Sequence, residues 1–430
     1  MEPIPAKCCP EYAELSRRGF LQAGAGSLAG LAALTSWLPR VAVARDYRST
    51  LRDTIVWIYL RGAADGLSMC VPWGDDDYYL ARPSLAIPRP DSGAAARCID
   101  LDGFFGLSPA MSALRPAYLS GDLLFVHACG SPDPSRSHFD AQRFMEVGQV
   151  SSDTSLTGWL GRHLASVAPA DPAAMLRAVG ISTGLQRVLE GGPHTLPIPD
   201  LANFGLLGNP ATKTARTNAL RDMYATVADP LRATASTTLA TVGLLDQIGF
   251  STYQPSGGAQ YNSAESLGYA LKTSAALIKA QIGVEAVAID VQGWDTHSAQ
   301  GPVSGTMAVL MNRLSSALAA FHQDMSAGSS PGYIVAVVSE FGRRVFENGS
   351  LGTDHGHGNA MMLMGPAVGG GRVLRHWQGL ATENLYDYAD LQVTIDYRDV
   401  LAEIIEQRLG NPNIASIFPG YTPVHRGVLA

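Results

Sequence analysis

Tyr333–Glu340 reads Y-I-V-A-V-V-S-E, an unbroken apolar run closed by a serine and a carboxylate. A short continuous run of this kind predicts a strand buried on both faces, the pattern of parallel sheets. It delivers Glu340 to the strand's carboxyl end, where open α/β sheets build their sites.

Working outward, the same pattern recurs. Ala286–Asp290 (A-V-A-I-D) predicts a strand, followed by the loop Gly293-Trp294-Asp295-Thr296-His297 and a helix over Met307–Phe321. Strand, helix and strand with ligand-type residues at both strand ends is the right-handed βαβ unit. On the other side, Thr353-Asp354-His355-Gly356-His357-Gly358-Asn359 leads into the apolar run Ala360–Met364. Small glycines between these side chains let several of them turn toward one point. Carboxylate and neutral imidazole are good ligands for zinc-like ions.

Earlier in the chain, Thr54–Leu60 (T-I-V-W-I-Y-L) predicts a buried first strand feeding the turn Arg61-Gly62-Ala63-Ala64-Asp65-Gly66. Asp65 is there either as a turn former or as a ligand. Asp75, Asp76 and Asp77 lack a calcium-loop pattern and read as a solvated turn. Leu107–Tyr118 has helical spacing and Leu123–Val126 predicts a second strand. The proline-braced segment Ser131-Pro132-Asp133-Pro134-Ser135-Arg136-Ser137-His138-Phe139 then leads to a helix over Asp140–Val147. A hydroxyl at such a helix start faces free backbone N–H groups and suits an oxyanion; an N-cap is the commoner role for a serine such as Ser137 at this place.

These elements predict an α/β fold of three layers, a mostly parallel sheet with helices on both faces. One domain is expected over 45–430, in which 165–280 is largely helical cover and loops. With 430 residues, 16% of them charged, and a formal net charge of −7, the chain offers no basic stripe for nucleic acid. Ser16-Arg17-Arg18-Gly19-Phe20-Leu21, the weakly apolar run to Leu38 and Ala42-Val43-Ala44 predict a twin-arginine signal peptide over 1–44. Export machinery is therefore an expected partner, with a periplasmic or extracellular destination and no stable membrane span after cleavage. Beyond that segment the cysteines are Cys70, Cys98 and Cys129, with no C-x-x-C pair, so a zinc–thiolate site is not expected.

Taken together, the first strand with Arg61–Pro72, Arg136-Ser137-His138-Phe139, Thr157-Gly158-Trp159-Leu160-Gly161-Arg162, Gly293–His297, Glu340-Phe341-Gly342-Arg343, Thr353–Asn359 and Asp396-Tyr397-Arg398-Asp399-Val400 make the chain resemble the exported bacterial family known as domain of unknown function 1501. That family is placed in the alkaline phosphatase and sulfatase superfamily. The resemblance implies an alkaline-phosphatase-like fold holding one or two divalent ions, zinc first, with calcium, magnesium or manganese as alternatives. It also implies a nucleophile at a helix start. By order along the chain it implies Asp65, Asp295, His297, Glu340, Asp354, His355 and His357 as ligands and Ser137 as nucleophile, with Ser135 its competitor. Arg136 and His138 would orient the oxyanion. Pro132 stands where sulfatases carry a modified cysteine, which disfavours a formylglycine sulfatase. The function expected is an exported metal-dependent hydrolase of phosphate or related oxyanion esters, on a small-molecule or polymer substrate. The alternative is a non-catalytic, metal-stabilised binding or assembly protein of the envelope.

Overall fold

Nine strands form one sheet around Thr54–Leu60 in the computed structural model, which describes residues 52–150, 155–328 and 330–430. The segment read as a twin-arginine signal lies outside the described residues. In chain order the strands are β1 (Thr54–Leu60), β2 (Leu123–Gly130), β3 (Ala178–Gly180), β4 (Thr195–Pro197), β5 (Ala286–Val291), β6 (Tyr333–Val338), β7 (Asn359–Met364), β8 (Arg372–Leu374) and β9 (Ile395–Asp396). Their spatial order is β8-β2-β7-β6-β1-β5-β3-β4, with β9 also paired to β2.

Every pairing in this sheet is parallel except those of β7, which runs antiparallel to both β2 and β6. The expectation of a mostly parallel sheet therefore holds, with one reversed strand. The reversal has a local cause. No α-helix lies between β6 and β7 to carry the chain back across the sheet, and parallel neighbours need such a crossover. The segment from Ser339 to Gly358 thus stays at the edge where β6 ends.

β1 shows why the apolar runs become strands. All seven of its residues are buried, so neither face offers water an alternative partner for its side chains. Ile55, Trp57 and Tyr59 share a core cluster with Met145, Trp159, Leu160, Val400, Leu401 and Ile404, from helices His138–Val147, Trp159–Ser166 and Tyr397–Gln407. Trp57 meets Trp159 edge-on at 5.2 Å between ring centroids. Val56 and Ile58, which alternate to the opposite face, are fully buried too. The long helices Ser266–Lys279 and Thr306–Ser326 pack on each other, and the first also contacts β5.

Register then places the site. Leu60 pairs with Val291 and Tyr59 with Val338, so β1, β5 and β6 end side by side. The turn at Arg61, the loop carrying Asp295 and His297, and Glu340 leave the sheet as neighbours.

The chain divides into two compact units. Among the described residues one comprises 204–247, with helices Lys213–Ala225 and Leu231–Gln247 packed together and a Lys213–Asp246 ion pair at 2.6 Å. The other contains the sheet and everything described below. No described helix is long and apolar enough to cross a membrane.

Candidate metal centre

Asp295 is the meeting point. Its Oδ1 lies 3.0 Å from Nε2 of His297 and 3.2 Å from Nε2 of His355, and its Oδ2 lies 3.5 Å from Nε2 of His138. Nε2 of His297 and Nε2 of His355 are themselves 2.9 Å apart. His138, Asp295 and His355 each offer an atom within 4.8 Å of the others.

Loop packing brings these groups together. Gly62 turns the chain after β1 with φ of +114°, and a Cβ there would stand 2.6 Å from the backbone nitrogen of Asp295. A Cβ on Gly352 would meet the His297 carbonyl carbon at 2.3 Å. Only glycine permits either approach. Arg343, buried to 1% exposure, ties the loops into one body. It donates to the carbonyls of Gly62, Ala63, Trp294 and Thr353, and at 2.7 Å to Asp295 Oδ1.

The far side of each imidazole is as informative as the near side. Nδ1 of His138 is 2.8 Å from Oε1 of Glu340, Nδ1 of His355 is 2.9 Å from the Arg136 carbonyl, and Nδ1 of His297 faces Asp354 Oδ1 at 3.5 Å. A carbonyl oxygen can only accept, so Nδ1 of His355 carries the proton, and a neutral ring then presents a bare lone pair at Nε2. The same holds for His138 against an ionised Glu340. Nε2 of His138 is buried without a hydrogen-bond partner. Lone pairs aimed at one another and at a carboxylate repel unless a cation stands among them. Protonating every ring instead would crowd imidazolium charges beside Arg343 against one carboxylate. A ring nitrogen aimed inward, with its twin held by an acceptor behind it, is how metal-ligating histidines are oriented. The donor set fits a divalent ion.

Electrostatics agree. Burial raises the Asp295 carboxyl, but the hydrogen bond and the charge of Arg343 outweigh it and leave the group below its ordinary value. Glu340 follows the same course: burial raises it, and hydrogen bonds from His138, Gln142 and the Gly62 N–H bring it below. The hydrogen bond to Glu340 raises His138, whereas burial lowers His355. The Asn348 amide, 2.9 Å from Asp354, heads the causes that lower that carboxyl.

The ligands expected from sequence thus separate. Asp295, His297 and His355 converge, while Glu340 and Asp354 stand behind the imidazoles. Asp65 is not brought into the cluster. Completely buried, it accepts from Arg82 at 2.6 and 3.1 Å, from Ser68 at 2.6 Å and from Gln300 at 2.6 Å. Burial raises this carboxyl, but the Arg82 charge and these hydrogen bonds bring it below its usual value. His357 also turns elsewhere, its ring 4.4 Å from that of Tyr386, and burial pushes it down to about 4.

The residues expected to be catalytic take separate positions. His138 faces Asp295 and lies with the converging imidazoles. The Arg136 guanidinium is held by Asp390 and Asp387, at 3.0 Å from Nε and 3.2 Å from Nη2 respectively. Ser137 caps helix His138–Val147 by position, its side chain makes no capping bond, and it is half-buried between Arg136 and His138. Gln142 and Arg343 carry roles the sequence reading did not assign. Arg343 lies in the quoted Glu340–Arg343 motif, which was the only signal for it. Cys70, Cys98 and Cys129 are buried free thiols away from this chemistry.

No curated protein matches the chain. The family model described as Protein of unknown function (DUF1501) matches residues 126–411, a span that takes in His138, Asp295, His297, Glu340 and His355 and leaves out β1 and Asp65. The chain belongs to the DUF1501 family.

Proposed function

We propose that this protein is an exported metal-dependent hydrolase of phosphate or related oxyanion esters, built on an alkaline-phosphatase-like fold within that superfamily. The observation that carries the metal is the convergence of three imidazole Nε2 atoms on Asp295 with an oxygen behind each Nδ1. Three nitrogens and a carboxylate favour zinc or a similar transition ion over calcium or magnesium, which prefer all-oxygen sites. Among the described residues the group whose ligand atoms all lie within 4.8 Å of one another is His138, Asp295 and His355, with His297 added through its 3.0 Å approach to Asp295, so the reading is of a single centre. A bound divalent ion supplies Lewis acidity and lowers the pKa of a hydroxyl or water beside it.

The chain's own residues divide the remaining work. His138, His297, His355 and Asp295 hold the ion; Glu340, Asp354 and the Arg136 carbonyl fix ring orientation. The centre opens to solvent, since the side chains of His297 and Asp295 are 43% and 45% exposed. Ser137 precedes His138 at the helix start and is the candidate nucleophile, with the helix's positive end toward an incoming oxyanion. Twin-arginine export to the periplasm or beyond remains part of the proposal on its sequence motif alone.

Assays on aryl phosphate, phosphodiester and aryl sulfate, with zinc, with chelator and with Ser137→Ala, test this reading. It expects chelator-sensitive turnover of at least one ester and loss of that turnover in the variant. Turnover retained in Ser137→Ala removes Ser137 as nucleophile. No turnover by metal-loaded protein favours the second reading, a metal-stabilised envelope binding or assembly protein. The engagement of Arg136 by Asp387 and Asp390 supports that alternative, because it occupies the expected oxyanion-binding guanidinium.

A further inference from the structure

We propose that the loop Tyr386–Asp390 positions the metal centre from outside, with Asp390 acting on His355 through Arg136. The proposal rests on the metal reading above and assigns a role to residues that lie far from it in sequence.

Asp390 has no exposed surface, yet it is a carboxylate. Its Oδ2 takes Nε and Nη2 of Arg136, while its Oδ1 is buried without a hydrogen-bond partner and lies 4.0 Å from Nε of Arg344, which lacks one too. Burial heads the causes that raise the Asp390 carboxyl pKa. A buried charge so incompletely satisfied is costly, and an apolar residue of similar size would serve packing better. The loop is also strained: Asp387 and Tyr388 both adopt left-handed φ, 52° and 56°. Side chains other than glycine rarely adopt that conformation unless the surroundings impose it.

What this arrangement holds in place is the chain on either side of His355. Asp387 and Asp390 anchor Arg136, whose carbonyl accepts from His355 Nδ1 at 2.9 Å. Tyr386 packs on His357, and the Leu391 carbonyl accepts from the Gly358 N–H at 2.8 Å. The Ala389 carbonyl accepts from the Val345 N–H at 2.9 Å, close to Arg343. One loop therefore grips both the acceptor behind His355 and the segment that carries His355. Were Arg136 to shift, that carbonyl would leave Nδ1, the ring could take the other tautomer, and its Nε2 would become a donor, useless to a cation. Asp390 and Arg136 are in this sense positioning residues.

The test compares the full chain with Asp390→Asn by zinc competition against a chromophoric chelator, and by ¹⁵N-histidine NMR of His355 in zinc-free protein. Zinc affinity should fall roughly 10- to 100-fold, the range seen for partners standing behind ligands, and His355 should pass from one tautomer to a mixture. Unchanged affinity with an unchanged tautomer overturns the proposal. If Asp390→Asn fails to fold, Arg136→Met combined with Asp390→Leu removes both charges together, and the same two losses are expected of it. Retention of both properties in that double variant is again contrary. If the wild-type protein binds no zinc, the metal reading fails by itself, and the His355 tautomer still decides whether the loop sets the ring.

Discussion

Nε2 of His297 stands 2.9 Å from Nε2 of His355, and the same Asp295 oxygen lies within 3.2 Å of both. Two imidazoles in that relation compete for one proton or share one cation. The acceptors behind them favour the cation, because they place the protons on Nδ1.

Removing a ligand should therefore affect metal binding more than folding. Asp295→Asn and His355→Ala are each expected to weaken zinc binding by more than the roughly 10- to 100-fold typical of second-layer partners. A ligand present at 100 times its Kd stabilises the folded state by about 2.7 kcal/mol. Chelator should accordingly lower the wild-type Tm and leave that of Asp295→Asn unchanged. Equal chelator sensitivity in both proteins would place the ion elsewhere.

Asp65 gives the opposite expectation. Asp65→Ala strands the fully buried Arg82 guanidinium, and breaking a buried ion pair costs on the order of 3–5 kcal/mol. Urea unfolding should show that loss, while zinc affinity of the folded protein stays at the wild-type value. Lost zinc affinity with stability retained would return Asp65 to the metal site.

Much of this was legible in the sequence. Thr54–Leu60, Ala286–Val291 and Tyr333–Val338 announce themselves as apolar runs because parallel strands bury both faces, and the loops after them carry the ligand-type residues. The direction of Asn359–Met364 was not legible, since an apolar run has no sign. β3, β4, β8 and β9 are two or three residues long and leave no pattern. Within the site, partners distant in sequence decided each role. Nothing local in the chain couples Asp65 to Arg82 and Gln300, or Arg136 to Asp390. The Asp-His-x-His motif presents His355 and His357 alike, yet one faces Asp295 and the other Tyr386. The resemblance offers His138 as an oxyanion contact, whereas its orientation toward Asp295 depends on Glu340, distant in sequence.

Glu340→Gln separates that orienting role from bulk. The amide keeps the shape but loses the charge that His138 Nδ1 meets, and its NH₂ can turn toward donors that already crowd the site. Zinc affinity is expected to drop roughly 10- to 100-fold, measured by the same competition titration. Affinity equal to wild type would show that His138 needs no carboxylate behind it.

Acid should destabilise the protein through histidines remote from the centre. Burial pushes His127 down to about 4 and His163 to about 3. Each Nδ1 faces a donor, the Ala128 N–H at 2.9 Å and the Asn411 amide at 3.1 Å, so neither ring accepts a second proton without breaking a bond. Their folded pKa values lie below the unfolded value near 6.5. The unfolded chain therefore gains protons first, and the stability present above pH 6.5 is lost as pH falls toward 4 and 3. Each ring contributes roughly 1.4 kcal/mol per pH unit within that window. Urea midpoints in chelator between pH 7 and 4.5 should show the fall, with a shallower slope for His127→Phe. An unchanged slope in that variant would assign the acid loss to other groups.

Zinc stoichiometry tests the central claim most directly. Protein stripped by chelator, refilled with zinc and freed of excess should retain about one ion per chain, the number one His-His-His-Asp centre can hold. The His355→Ala chain, treated alike, should retain far less. A wild-type chain that retains none, or a variant that retains as much, would contradict a metal centre at Asp295.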